Sequence, residues 1–230
     1  MTKCELAHSY GAGAVGELLP IAVLVSGAGT NLQALIDRVH GREAEIVAVA
    51  SSVAGATALS RAEAAGVPVE VFARADYADR AARDEALGEW LALRGARLVV
   101  LAGFMELLGT PFLARFAGRV INVHPSLLPA FPGLRAIEQA LEYGVKVFGV
   151  TVHFVDQGVD TGPVIAQRAL ELPSPGSAAE VREALRPLEH DLLCAAVRSF
   201  AAGELGPHPA AAGLEHLAGA RSGRGRGVGG

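Results

Sequence analysis

Ile21-Ala22-Val23-Leu24-Val25-Ser26-Gly27-Ala28-Gly29-Thr30-Asn31-Leu32 decides the class of fold. Its first five residues form a short continuous apolar run rich in β-branching, the pattern of a parallel strand buried on both faces. A glycine turn follows, and then Leu32, Leu35, Ile36 and Val39 recur at helical spacing. Strand, glycine turn and helix together make a phosphate cradle: glycines let the backbone approach an anion, and free N–H groups at the helix start face it. The turn has no P-loop lysine, and its glycines do not match the dinucleotide fingerprint. The plain alternative is an ordinary tight turn with Thr30 or Asn31 as N-cap. From these residues alone both readings stand.

Outward from that unit the pattern repeats. Strands are expected at Glu45–Ala50, Val67–Phe72, Arg97–Ala102 and Arg119–Asn122, with helices at Thr57–Ala65, Tyr77–Leu93 and Pro111–Phe116 between them. Strands alternating with helices argue for βαβ units, an α/β fold with a mainly parallel sheet and right-handed crossovers. Beyond them come a helix at Arg135–Tyr143, alternating strands at Lys146–Val155 and Val164–Leu172, and a last helix at Ser177–Phe200. That helix opens with a capping box, Ser177 and Glu180.

The 230 residues allow one large domain with a sizeable core. Hydrophobic residues make up 51%, yet no apolar run approaches the roughly 18 needed to span a bilayer. A net charge of -4 gives no electrostatic reason to expect nucleic acid or an anionic membrane as partner. Cys4 and Cys194 fit neither a disulfide framework nor a metal pair, which points to a reducing, cytoplasmic setting. No His/Cys/Asp cluster has metal spacing. Residues 1–19 read as a flexible extension without a signal peptide, 20–203 as a single domain, and 204–230 as a flexible low-complexity tail.

Candidate chemistry sits in Ile121-Asn122-Val123-His124-Pro125-Ser126-Leu127-Leu128-Pro129, where a strand enters a proline-bounded loop. Asn122 and His124 are two apart, so on an extended backbone their side chains leave one face. An amide and an imidazole suit a developing oxyanion, and a carboxylate completes a proton-transfer system. Asp160, in the loop from Asp156 to Pro163, is the nearest acid on a comparable loop. Together they point to acyl-type transfer to an external nucleophile without a covalent enzyme intermediate. The plain alternatives are that Asn122 caps a turn, His124 bonds its own loop, and the two acids are a solvated turn. Gly103-Phe104-Met105-Glu106-Leu107-Leu108 could wall a flat ligand's pocket or be core beneath a loop.

VLVSGAGTNLQALID, LAGFMELL, INVHPSLLPAFPG and TVHFVDQGVDTGPVIAQ occur here in the order and spacing of the phosphoribosylglycinamide formyltransferase family, which the chain resembles over about residues 21–200. The resemblance implies a Rossmann-like formyltransferase fold, a mostly parallel central sheet with helices on both faces. It implies transfer of the formyl group of 10-formyltetrahydrofolate, as co-substrate and with no metal, to the amine of glycinamide ribonucleotide in purine synthesis. The family's catalytic Asn, His and Asp fall on Asn122, His124 and Asp160. Ribonucleotide contacts fall on Gly29, Thr30, Asn31 and Glu189. Folate contacts fall on Arg80, Met105, Leu107, Leu108, Asn122, Val155, Asp156 and Val159. A homodimer is left open.

Two positions depart from the pattern. Relatives often carry a basic residue where this chain has Glu106, and some carry a histidine where it has Arg135, which would lie near Asp160. The competing members of the fold are a formyltetrahydrofolate hydrolase, expected to carry a regulatory domain before this one, and a methionyl-tRNA formyltransferase, expected to carry an RNA-binding domain after it. A non-catalytic nucleotide-binding module would keep the glycine turn and could dispense with Asn122, His124 or Asp160.

Overall fold

A strand buried on both faces needs strand neighbours at its sides and helices above and below, and β1 (Leu19–Val25) has all of these. The computed structural model describes residues 17–208. Most of the expected extension and tail, residues 1–16 and 209–230 with Cys4, lies outside the described residues. β1 pairs in parallel with β2 (Ala44–Ser51) on one side and β4 (Leu98–Leu101) on the other. The sheet continues outward to β3 (Val69–Val71) beside β2, and to β5 (Val120–His124) beside β4. β6 (Val147–Phe154) and β7 (Val164–Glu171) complete it in antiparallel pairings, giving the order β3-β2-β1-β4-β5-β6-β7.

Side-chain alternation divides the core into two layers. Ile21, Val23 and Val25 point into a core shared with α1 (Thr30–Arg38), α2 (Thr57–Ala64), α5 (Ala136–Tyr143) and α6 (Ala178–Ala201). Ala22 and Leu24 point the other way, against α3 (Arg80–Leu93) and α4 (Thr110–Arg115). Each fully buried Ile, Leu or Val on these strands contributes about 1.5–3 kcal/mol, which is why the strand centres are uniformly apolar. The strand order reverses at β1 and β4, so the loops leaving their carboxyl ends open a crevice where α/β sheets bind ligands.

Local chemistry explains where elements differ from expectation. The helix expected from Tyr77 starts three residues later, at Arg80, after a 3-10 turn at Arg74–Asp76, because Asp79 caps it by accepting the Ala82 N–H at 2.8 Å. Neither Thr30 nor Asn31 caps α1; Gly29 holds that place with φ 72°, a left-handed conformation that needs no side chain. β5 runs two residues further than expected, so His124 is its last residue rather than part of the loop. The Ser177 half of the capping box of α6 forms, Ser177 accepting from the Glu180 N–H, while Glu180 reaches one residue past the cap and accepts from the Gly176 N–H.

Candidate functional site

Asn122 and His124 leave one face of β5, as their spacing requires. The antiparallel register then sets His153 of β6 opposite Asn122 and Thr151 opposite His124. After β6 the chain turns sharply. Gly162 lies so close to the Phe154 carbonyl that a Cβ there would sit 1.8 Å from its oxygen, so only glycine fits. Asp160, at φ 53°, is thereby carried back over the end of the sheet.

The result is a four-residue cluster. Asp160 Oδ2 lies 3.3 Å from His124 Nδ1, and Oδ1 lies 3.4 Å from His153 Nε2. The Asn122 amide donates to Asp160 Oδ1 at 3.3 Å and lies 3.2 Å from His153 Nε2. The Gly133 N–H donates to Asp160 Oδ2 at 2.8 Å. On the far side of each ring is a backbone carbonyl: Phe131 O is 2.9 Å from His124 Nε2, and Phe154 O is 2.8 Å from His153 Nδ1. A carbonyl only accepts, so each ring donates there and turns its other nitrogen toward Asp160. His124 donates to both neighbours only as the imidazolium.

Burial would push the Asp160 carboxyl up. The hydrogen bond from His153, the Gly133 N–H and the positive charge available on His124 and His153 outweigh it and hold the carboxyl at about 2. Asp160 is therefore ionised at neutral pH. An amide donor, a cation-capable ring and a fixed carboxylate can stabilise charge growing on a carbonyl oxygen and steer a proton.

A second group forms at the turn after β1. At Gly29 a Cβ would stand 2.6 Å from the Ala58 Cβ, so the turn packs on α2. Thr30 opens α1, whose first N–H groups are free of side-chain caps. The buried Asn31 amide donates to Glu189 Oε2 of α6 at 3.0 Å, while Asn31 Oδ1 is buried with no partner. Burial raises the Glu189 carboxyl, opposed by the Asn31 hydrogen bond and the charges of Arg186 and Arg182. An orphan amide oxygen beside a carboxylate accepts from the hydroxyl or N–H groups of a ligand. A cleft of about 190 Å³ next to this turn is lined by Thr30, Arg61, Arg186 and His190 and includes none of the Asp160 cluster.

The loop after β4 supplies apolar surface. Met105 and Leu107 are 65% and 55% exposed, while Leu108 and Phe104 pack on the α3 side of the core. Across the cluster Val159 is also exposed and Val155 is half-buried on the same core. Asp156 is turned inward on its own loop, accepting from the Gly158 N–H and the Thr161 hydroxyl. Arg80 is exposed at the start of α3. The loop is joined to the β1 turn through Ser26, whose hydroxyl accepts the Met105 N–H at 2.9 Å and bonds Ser52 at 2.6 Å. Glu106 is not a free charge at this mouth, because it accepts from Arg83 at 3.0 Å. Arg135 is exposed, at φ 60° before α5, and contributes to lowering Glu138 after that residue's backbone hydrogen bond and Arg182.

His153 is the residue that sequence reasoning passed over. Alternation along β6 places it with Thr151 on one face, but only the antiparallel register puts it opposite Asn122. Among the described residues, no group of three or more His, Cys, Asp or Glu could hold a metal ion, and no helix is long and apolar enough to cross a membrane.

Comparison with known proteins adds to this geometry. The family described as Formyl transferase matches residues 19–197. The chain is 41% identical over 171 residues to a phosphoribosylglycinamide formyltransferase of Bacillus subtilis (strain 168), covering 74% of this chain and 88% of that protein. It is 44% identical over 174 residues to the trifunctional purine biosynthetic protein adenosine-3 of Drosophila melanogaster, covering 74% of this chain and 13% of that much longer protein. Among solved structures, glycinamide ribonucleotide transformylase 1 from Symbiobacterium toebii superposes with a TM-score of 0.80 at 45% identity, covering 84% of this chain and 92% of the other.

Proposed function

This chain belongs to the formyl transferase family, and from that premise we propose that it moves the formyl group of 10-formyltetrahydrofolate to the amine of glycinamide ribonucleotide. It is a one-carbon transferase of purine biosynthesis, and residues 20–203 act as its single catalytic domain. The observation that supports the reading most is the convergence of Asn122, His124 and Asp160 within 3.3 Å contacts at the carboxyl end of β5, the strand next to β4 and its apolar loop.

The ribonucleotide phosphate rests on the N–H groups at Gly29, Thr30 and Asn31, where the start of α1 favours an anion. Glu189 and the orphan oxygen of Asn31 take the donors of the sugar. The folate lies against Met105, Leu107 and Leu108, under the loop of Val155, Asp156 and Val159, with Arg80 facing its acidic tail. The fit rests on chemistry present in the chain: exposed apolar side chains on the loop after β4 and an unpaired buried acceptor at the turn after β1.

The amine attacks the formyl carbon directly. Asn122 and His124 stabilise the negative charge that grows on the formyl oxygen, His124 exchanging its bond to the Phe131 carbonyl for one to the substrate. Asp160 orients His124 through its contact with Nδ1 and steers the amine's proton toward the departing folate nitrogen, so one proton leaves one nitrogen and one arrives on the other. His153 holds Asp160 from the far side.

The free buried thiol of Cys194 supports a reducing, cytoplasmic setting. Purified protein given both substrates should release deformylated folate only when the ribonucleotide is present. Equal release without it would replace this reading with formylfolate hydrolysis. A sizing column on the same sample decides between monomer and homodimer.

A further inference from the structure

The loop at 103–109 exposes two large apolar side chains, Met105 and Leu107, which a free loop would tuck away from water. What holds them out is Arg83, a fully buried arginine on α3. Its guanidinium donates to Asp84 Oδ1 at 3.0 Å from Nε and 2.6 Å from Nη2, to Glu106 Oε2 at 3.0 Å, and to the Leu107 carbonyl at 2.9 Å. Asp84, also fully buried, accepts the Gly109 N–H with its other oxygen at 2.6 Å. The guanidinium carbon stands 5.9 Å from the centre of the Phe104 ring. Positions 104, 106, 107 and 109 are thus all tied to one adjacent pair of residues on α3.

Charges taken out of water are costly unless every donor and acceptor is used. The same helix meets the core further on through Leu87 and Leu91, with no charge needed. The ionic group therefore serves the loop rather than the packing of α3. It also settles Glu106: a carboxylate beside the folate mouth is bound to Arg83 and kept from an incoming acidic tail, while Arg80 is an exposed cation at the start of α3.

We propose that the Arg83–Asp84–Glu106 triad is the positioning device of the formylfolate side, setting Met105 and Leu107 outward and pairing the Glu106 carboxylate. This rests on the formyl-transfer reading, which wild-type turnover checks before any variant is made. Arg83→Lys keeps the charge, but one ammonium cannot span three acceptors as the guanidinium fork does, so KM for 10-formyltetrahydrofolate should rise about tenfold. KM for the ribonucleotide and kcat should stay within about twofold. Glu106→Gln should raise the folate KM about threefold, and Arg83→Lys with Glu106→Gln should raise it less than the product of the single effects, because both touch one interaction. Thermal melts establish that each variant is folded; Glu106, on the rim, carries the test if Arg83→Lys is not. The proposal is overturned if folded variants leave the folate KM unchanged, or raise both substrate KM values equally. No transfer by the wild-type chain would instead overturn the functional reading.

Discussion

The turn after β1 and the cluster at the end of β5 both lie at carboxyl ends of strands, but they are made of different things. The turn is six consecutive residues whose working parts are backbone N–H groups, shaped by Gly29 and its contact with Ala58. The cluster is four side chains from two antiparallel strands and a loop, with 38 positions between Asn122 and Asp160. A site of backbone fails when the chain cannot take its path; a site of side chains fails when one charge is changed and the path kept. The two should therefore break in separate ways.

The largest break is at the charge. Asp160→Asn keeps the shape and removes the carboxylate, so kcat should fall by about 10³-fold or more while ribonucleotide affinity changes less than about threefold. Near-normal turnover, measured with both substrates saturating, would take Asp160 out of the mechanism. His153→Ala leaves Asp160 in place but removes the hydrogen bond that does most to lower its carboxyl. We expect kcat to fall about 10–100-fold, with the acid limb of its pH profile displaced upward. An unmoved limb would deny His153 that role.

Gly29→Ala attacks the other region. A methyl there meets Ala58 at 2.6 Å and the backbone must keep φ 72°, so stability should drop by about 1–3 kcal/mol. The ribonucleotide KM should rise about tenfold, while kcat and the folate KM change little; a loss confined to kcat would erase the distinction between the two regions. The smallest effect is in acid. The Asp160 carboxyl is held at about 2 against an ordinary value of 3.8. Its contribution to stability is therefore complete above about pH 4 and lost as pH falls toward 2. Urea midpoints measured between those values should fall less steeply for Asp160→Asn than for the wild type.

Legibility followed the range of the interactions. The β1 strand, glycine turn and α1 could be read from Ile21 to Val39 because periodicity and turn chemistry act over a few residues. Asn122 and His124 could be paired because two positions along a strand share a face whatever surrounds them. His153 could not be paired with them, since strand alternation is silent about which residue of another strand lies opposite. The partners of Glu106 and Arg135 were unreadable for a related reason: the fold binds Glu106 to Arg83 and puts Arg135 where its charge acts on Glu138.

Short-range patterning and the motifs by themselves determined the α/β class, the strand that carries Asn122, and the turn that can face a phosphate. Only the tertiary structure decided that β6 runs antiparallel and brings His153 in, that Asp160 is swung back at positive φ, and that a buried arginine binds the apolar loop. Those outcomes depend on register, desolvation and the partners available to a buried charge, and these exist only once distant parts of the chain are packed together.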